Sequence, residues 1–198
     1  MSDAGVDSSP GDPFGIVGTL QCEVFRVERA VAEGGFGVVY RAMHTVFRAP
    51  VALKCLKVPE TLELQKRDAF LEKFREEAEL LFRLSAALPE IVRPLQFGVL
   101  ETTTFVPYLA LEWLEGETLH HYIRRRNQTG KGPLGLSDAV TMLTPVARAL
   151  ARAHAFPDPS GQTVAIIHRD MKPENVFLVD QGGERTAKIL DYGIARVK

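Results

Sequence analysis

The spacing of hydrophobic positions changes several times along the chain, and each change predicts a different kind of element. Near the N-terminus, three runs rich in β-branched and aromatic residues surround a glycine cluster. These runs are Cys22–Val27, Gly37–Ala42 and Pro50–Leu56. Runs of this composition, separated by turn residues, are typical of strands. The pattern predicts three antiparallel strands in this part of the chain.

From about Arg67 to Leu88 the hydrophobic spacing becomes helical. One stripe of the predicted helix consists of Phe70, Phe74, Glu77, Leu81 and Leu84. Glu77 occupies the middle of the stripe, where an apolar residue is expected. A carboxylate directed at a core requires a cation as its partner. We therefore expect Glu77 to form an ion pair.

Strand-like sequence returns from Ile91 to Glu112, with breaks expected at Gly98 and at the Thr102–Thr104 turn. A mostly helical part begins at Gly116. Four elements are predicted in it: a short helix that holds Leu119, Tyr122 and Ile123, a long helix from a Ser137 N-cap to about His154, and short strands at Val176–Val179 and Ala187–Leu190.

These elements predict an α+β fold built from two lobes. Residues 1–19 are expected to be a disordered leader, because their beginning is rich in Ser, Gly, Asp and Pro. Residues 20–111 form a β-rich lobe with one helix, 112–116 a connector, and 117–198 the start of a helical lobe. A cleft between lobes is a preferred place for a small-molecule site.

Composition narrows the function classes. The net charge of −1 over 198 residues gives no reason to expect a nucleic acid or a membrane surface as partner. No apolar run approaches the roughly 18–20 residues of a membrane helix. The two cysteines, Cys22 and Cys55, have no metal-ligand spacing, so we expect a reduced chain in the cytoplasm.

Two features of the β-rich part suggest phosphate chemistry. Glycines at positions 34, 35 and 37 lie between two predicted strands, and Lys54 lies on the third. Glycines in such a loop let backbone amides approach phosphates with no side chain in the way. Taken alone, the cluster could equally be an ordinary hairpin turn, and a lysine in a strand is usually solvated.

The segment His168–Asn175 is the most informative part of the sequence. It brings a carboxylate (Asp170), an ammonium (Lys172) and a carboxamide (Asn175) within six residues. A second acid, Asp191, follows sixteen residues after Asn175. These groups can position a hydroxyl, a terminal phosphate and a divalent metal.

In combination, these motifs resemble those of a eukaryotic-type (Hanks-type) serine/threonine protein kinase catalytic domain, with features of bacterial members. The resemblance runs from about Leu20 to Lys198 and implies the two-lobed kinase fold. The chain departs from the family pattern at Ala32, which replaces the first loop glycine, and at Tyr192, which replaces the Phe of the D-F-G motif. The sequence ends soon after this motif, so we expect a truncated catalytic domain.

The resemblance implies a role for each chemical group. Asp170 would orient the substrate hydroxyl and accept its proton, and Lys172 would neutralise the transferring phosphoryl group. Asn175 and Asp191 would bind Mg²⁺ or Mn²⁺. Lys54, held by Glu77, would contact the α- and β-phosphates.

It also implies an ATP site. The residues expected to contact the nucleotide are Val31, Gly34, Gly35, Gly37, Val39, Ala52, Lys54, Leu111, Glu112, Leu114 and Phe177. The expected activity is transfer of the ATP γ-phosphate to serine or threonine hydroxyls of a protein substrate, without nucleic-acid partners. The alternative is a truncated nucleotide-binding or interaction module with little or no kinase activity.

Overall fold

The computed structural model describes residues 11–59, 62–157, 160–182 and 184–192. Contacts divide the chain into two compact units. The first unit comprises Met1–Lys73 and Leu95–Trp113, and the second comprises Phe74–Pro94 and Leu114–Lys198. The lobe limits predicted from the sequence differ from these unit limits and stay a prediction.

One six-stranded sheet dominates the first unit. Its strands are β1 (Leu20–Gln21), β2 (Phe25–Gly34), β3 (Gly37–His44), β4 (Ala49–Leu56), β5 (Pro94–Val99) and β6 (Pro107–Glu112). Their order in the sheet is β1-β2-β3-β4-β6-β5. The pairs β2–β3 and β3–β4 are antiparallel, which confirms the three strands predicted around the glycine cluster.

The register of this sheet sorts the side chains of its central strands onto two faces. Tyr40 on β3 pairs with Leu53 on β4, and Leu53 pairs with Ala110 on β6. Directly paired residues of antiparallel strands share a face, and these three belong to one buried hydrophobic cluster. The core therefore covers this face, and neighbouring positions along each strand lie on the opposite one.

Residues 11–19 fall in the predicted leader, but they have a defined conformation. The Asp12 carboxylate accepts hydrogen bonds from the backbone N–H groups of Ile16 and Val17 at 3.1 and 2.9 Å. It also accepts one from the Tyr40 hydroxyl at 2.9 Å. Ile16 is buried in the same cluster as Tyr40. The structure differs from the prediction here, because one carboxylate and one apolar side chain attach the segment to the sheet.

The helix predicted after the third strand is confirmed as α1, Leu64–Ala87. Its buried residues are Phe74, Ala78, Leu81 and Leu84. Glu77 lies on the same stripe and is half-buried. The helical spacing of hydrophobic residues therefore identifies both the element and its inner face.

Gly98 was expected to interrupt a strand, and this prediction is wrong, because the residue lies inside β5. A Cβ atom at this position would lie 3.0 Å from the ring of Tyr108. The Tyr108 hydroxyl accepts a hydrogen bond from Nε2 of Gln96, also on β5, at 2.7 Å. Glycine here permits close packing of the tyrosine.

The second unit contains a three-stranded sheet, in the order β11-β10-β7, together with α2, α3 and the part of α1 from Phe74 onward. Its elements are β7 (Gly116–Thr118), α2 (Leu119–Gln128), α3 (Leu136–Ala153), β8 (Phe156–Pro157), β9 (Thr163–Val164), a 3-10 turn (Pro173–Asn175), β10 (Val176–Gln181) and β11 (Glu184–Ile189). β10 and β11 form the predicted hairpin. Gly116 has a φ of 144°, and a Cβ atom there would collide with the carbonyl oxygen of Leu178.

The predicted N-cap of α3 is wrong. Gly135, in an extended conformation, caps the helix, and its carbonyl accepts the Ala139 N–H at 2.9 Å. The helix begins at Leu136, so Ser137 lies within its first turn and not at the capping position. Val146 and Ala149 on α3 are buried. None of the helices in the described part of the chain is long and apolar enough to cross a membrane.

Candidate functional site

The glycine cluster forms the tight turn between β2 and β3. Gly34 and Gly37 pair across it. A Cβ atom on Gly37 would lie 2.2 Å from the carbonyl oxygen of Cys55, whereas one on Gly34 or Gly35 would have nothing within 4 Å. Packing of the chain therefore requires glycine at 37 but not at 34 or 35. Glycine at those two positions leaves the backbone open to a ligand.

Lys57, immediately after β4, ties this turn to the sheet. Its Nζ donates to Oε1 of Glu33 at 2.7 Å and to the carbonyl oxygen of Gly34 at 3.4 Å. Its backbone N–H donates to the carbonyl of Phe36 at 3.0 Å. Sequence reasoning missed Lys57, because Glu33 and Lys57 become neighbours only through the strand register.

Four predicted site residues lie together on the sheet face opposite the core. Lys54 pairs with Val39, and Ala52 pairs with Leu111. Ala52 and Lys54 are two residues apart on β4, so their side chains share a face. Lys54 is only 8% exposed. Lysine is rarely buried to this extent unless its charge has a use or a partner.

In the second unit, the structure brings Asp170, Lys172 and Asn175 together. Oδ2 of Asp170 is 3.0 Å from Nζ of Lys172. Nδ2 of Asn175 donates to the same Oδ2 at 3.1 Å and to the Asp170 carbonyl oxygen at 2.8 Å. The loop therefore holds the carboxylate between a cation and an amide.

The backbone of Leu190 connects this loop to the end of the β10–β11 hairpin. Its N–H donates to the Asn175 carbonyl at 2.8 Å. Its carbonyl oxygen is 2.8 Å from Nε2 of His168. The Asp170 N–H donates to Nδ1 of His168 at 3.3 Å, so Nδ1 is the acceptor and Nε2 carries the proton. Sequence reasoning missed Leu190, because its contribution comes from backbone atoms that leave no signal in the residue type.

The donor set at the end of the hairpin suits a hard divalent cation. Asn175 is 6% exposed and commits Nδ2 to Asp170, so Oδ1 is the atom of its amide that can bind a cation. Asp191 follows Leu190 directly, with a φ of 53°. Carboxylate and amide oxygens are the ligands that Mg²⁺ and Mn²⁺ prefer. The oxygen ligands of these two residues therefore fit a hard divalent cation in their chemistry, and their role as metal ligands stays a prediction.

Tyr192 packs against His168, with ring centroids 4.8 Å apart and an interplanar angle of 67°. Its hydroxyl is buried and has no hydrogen-bond partner among the residues that the structure describes. Burial raises the pKa of Tyr192 to about 12. Gly193, the last residue of the predicted Asp-Tyr-Gly motif, lies outside the described residues.

The remaining predicted site residues are distributed over both units. In the first unit, Val31 lies on β2 and Glu112 is the last residue of β6. In the second unit, Glu77 lies on α1, Leu114 follows β6, and Phe177 lies on β10. All five are half-buried. The ion pair between Glu77 and Lys54 would join residues of different units and stays a prediction, as do the adenine contacts.

Comparison with known proteins identifies the family. The family model described as a protein kinase domain matches residues 25–198 of the chain. The chain belongs to the protein kinase domain family. This confirms the kinase fold and the resemblance stated from the sequence.

Bacterial serine/threonine kinases are among the similar proteins. The probable serine/threonine-protein kinase PknB of Corynebacterium glutamicum is 32% identical over 173 residues, which cover 87% of this chain and 23% of that protein. Serine/threonine-protein kinase pkn3 of Myxococcus xanthus is 32% identical over 182 residues, covering 91% and 29%. The predicted bacterial type of this kinase domain is confirmed.

The crystal structure of the PknI kinase domain of Mycobacterium tuberculosis has a similar fold. The TM-score is 0.66 at 26% identity, covering 90% of this chain and 61% of that chain. The chain therefore spans about three fifths of that domain, and about a quarter of the length of the curated relatives described above.

Proposed function

We propose that this kinase domain transfers the γ-phosphate of ATP to serine or threonine hydroxyls of proteins. The observation that carries the proposal is the contact of Asp170 with both Lys172 and Asn175. A carboxylate held in this way can orient a hydroxyl and accept its proton as the oxygen attacks phosphorus. The names of the bacterial relatives support the serine/threonine class.

Lys172 serves the same reaction by its charge. Its ammonium group lies at the carboxylate of Asp170 and is about half exposed. Negative charge spreads over the phosphoryl oxygens during transfer, and a positioned cation stabilises it. Lysine two residues after the acid is also the arrangement that the resemblance associates with serine and threonine substrates.

We propose nucleotide-binding roles for residues of each unit taken by itself. The backbone at Gly34, Gly35 and Gly37 would contact phosphates, and Lys54 would contact the α- and β-phosphates with Glu77 as its counter-ion. The residues proposed to enclose the adenine are Val31, Val39, Ala52, Leu111, Glu112, Leu114 and Phe177. The apolar character of most of these residues suits a flat aromatic ring.

Asn175 and Asp191 would hold the divalent metal, for which we propose Mg²⁺, with Mn²⁺ as a substitute. When bound, the metal neutralises phosphate charge and orients the phosphates. The protein contributes a fixed amide, because Asn175 is buried and bonded to Asp170. We also propose a cytoplasmic location, where ATP and Mg²⁺ are abundant.

Two substitutions distinguish the acid that acts on the hydroxyl from the acid that binds metal. Asp170→Asn should bind MgATP normally but lose most phosphotransfer, a reduction of roughly 10²–10⁴-fold, because an amide cannot accept the proton. Asp191→Asn should lose Mg²⁺-dependent nucleotide binding. Nucleotide affinity is measured by calorimetry with and without Mg²⁺, and transfer with radiolabelled ATP and a mixed Ser/Thr peptide library.

Asp180→Asn is the matched control, because Asp180 is an exposed hairpin acid that pairs with Arg185 at 2.8 Å. Asp180→Asn should change neither MgATP binding nor phosphotransfer. Equal loss of MgATP binding in Asp170→Asn and Asp191→Asn would contradict the separate roles. MgATP binding by the unaltered chain without any transfer would instead support a nucleotide-binding module.

Lys54 gives an independent test. Lys54→Met should weaken ATP binding or strongly reduce turnover, because the cation at the α- and β-phosphates is lost. Lys66→Met is the control, since Lys66 is an exposed lysine that pairs with Glu63 at 3.3 Å. Unchanged phosphorylation by the Lys54→Met protein would refute the assignment.

A further inference from the structure

A cavity lined by residues of the first unit shares none of them with the proposed nucleotide site. Its volume is about 410 Å³, within the range of cavities that bind small molecules. Its described walls are Pro13 and Phe14 before β1, Val58 and Pro59 after β4, Arg67 in the first turn of α1, and the β5–β6 turn. The wall residues that matter for recognition are Phe14, Val58, Arg67, Thr104, Phe105 and Val106.

Arg67 gives the cavity an unsatisfied donor. Its Nε is buried, and no residue that the structure describes accepts a hydrogen bond from it. The guanidinium lies 5.0 Å from the centroid of the Phe105 ring, and Phe105 packs edge-on against Phe70 at 6.3 Å. This contact places the guanidinium beside an aromatic ring, an arrangement that is favourable for a cation. A buried donor without an acceptor destabilises the folded state, and a ligand that accepts its hydrogen bond removes this cost.

Two described acidic residues that lie near the cavity wall in sequence have other partners. Asp12, next to the cavity wall, accepts hydrogen bonds from Ile16, Val17 and Tyr40. Glu63, one turn before Arg67 on the chain, pairs with Lys66. An arginine remains charged at all physiological pH values. Its positive charge is therefore available to an anion that enters from outside the chain.

The other walls determine what kind of anion fits. Phe14, Val58, Phe105 and Val106 offer aromatic and aliphatic surface, and Thr104 adds a hydroxyl at the exposed β5–β6 turn. Planar carboxylates match the guanidinium fork with two parallel hydrogen bonds. We propose that this cavity binds a small monocarboxylate with an aromatic body, its carboxylate on Arg67 and its ring against Phe14 and Phe105.

Calorimetric titration of the full chain with two matched probes tests the proposal. 4-Phenylbutyrate carries the carboxylate, and 4-phenylbutyramide has the same size without the charge. We expect the carboxylate to bind at least about tenfold more tightly, the difference that a charge-assisted bond supplies over a neutral one. The ¹⁵N-detected Nε–H resonance of Arg67 should shift on titration, which places the probe at this side chain.

Arg67→Met keeps an unbranched side chain but removes the guanidinium, so the preference for the carboxylate should disappear. Arg75→Met is the control on the same helix, because Arg75 is exposed and lies 3.9 Å from Glu79. It should bind both probes like the unaltered chain. Arg67→Lys keeps the charge but loses the fork, and we expect it to bind 4-phenylbutyrate at least about threefold more weakly.

Circular dichroism and thermal melting show whether each variant is folded, and Arg67→Lys provides the test if Arg67→Met is not. Equal affinities for acid and amide, an unchanged preference in Arg67→Met, or no binding of either probe at about 10 mM would each overturn the proposal. None of these measurements involves ATP. The carboxylate site can therefore be refuted while the kinase function stands, and the kinase function can be refuted while the carboxylate site stands.

Discussion

Replacing Asn175 by aspartate should destabilise the loop of residues 168–175 more than replacing it by alanine. Nδ2 of Asn175 donates to the Asp170 carbonyl at 2.8 Å and to its carboxylate at 3.1 Å. Alanine loses both bonds, which costs about 2–4 kcal/mol, since one acceptor is charged. Aspartate loses the same bonds and adds a second negative charge about 3 Å from the first.

The repulsion sets the difference between the two variants. Two like charges at this separation repel by about 5 kcal/mol at an effective dielectric constant of 20, and by about 1 kcal/mol in water. The side chain of Asp170 is 37% exposed, so water screens part of the repulsion. Lys172 offsets another part. We expect Asn175→Asp to be less stable than Asn175→Ala by about 1–4 kcal/mol.

Amide hydrogen exchange by NMR measures this local stability. The reporters are the N–H groups of Asn175 and Leu190, which donate to Lys172 and Asn175 at 2.9 and 2.8 Å. Asn127→Asp, at an exposed position of α2, is the matched control and should leave both reporters unchanged. Equal exchange rates in Asn175→Asp and Asn175→Ala would refute the geometry described for the loop.

Three further predictions concern other parts of the two units. Tyr192→Phe should melt at the same or a higher temperature at pH 7, because it removes a buried hydroxyl without a partner among the described residues. Burial raises the pKa of Tyr192 to about 12, because the folded state favours the neutral phenol over the phenolate. The stability of the folded state is therefore unaffected by this group below about pH 10 and falls as the pH rises towards 12. Alkaline unfolding of the variant should therefore be shallower, and an identical pH profile would contradict this. Gly37→Ala should cost about 1–3 kcal/mol in thermal or urea unfolding, because its Cβ meets the Cys55 carbonyl, and a neutral effect would disprove the close contact. Lys57→Glu should weaken ATP binding by loosening the glycine turn, and the added Glu33→Lys change should restore most of it, whereas calorimetry that shows no recovery would exclude the salt bridge as the cause.

The elements that the sequence predicts correctly are those whose cause is local. Helical spacing from Phe74 to Leu84 specifies α1, and β-rich runs around a glycine turn specify the hairpin of β2 and β3. The chemical groups of the candidate site are recognisable for the same reason. Asp170, Lys172 and Asn175 are so close in sequence that a single loop suffices to bring them together.

The features that sequence reasoning misses depend on distant contacts. β7 has three residues and no pattern of its own, and it exists because Gly116 fits against the carbonyl of Leu178. Asp12 is ordered by Tyr40, twenty-eight positions away. The glycine in β5 reads locally as a break, although the ring of Tyr108 explains it. Local sequence patterns do not reveal these pairs, because strand pairing and side-chain packing bring their members together.

The β10–β11 hairpin has a consequence for how this domain can vary. Pairing of Val176 with Ile189 fixes the open end of the hairpin, where Asn175 and Leu190 are hydrogen-bonded. Residues added at the tip, near Gly182, lengthen the hairpin away from that end. A single deletion within either strand would instead turn every following side chain to the other face. The tip is therefore a suitable place to insert a tag or a sensor peptide. Within the strands, a change of length by one residue would break the register that places Asn175 and Leu190 together.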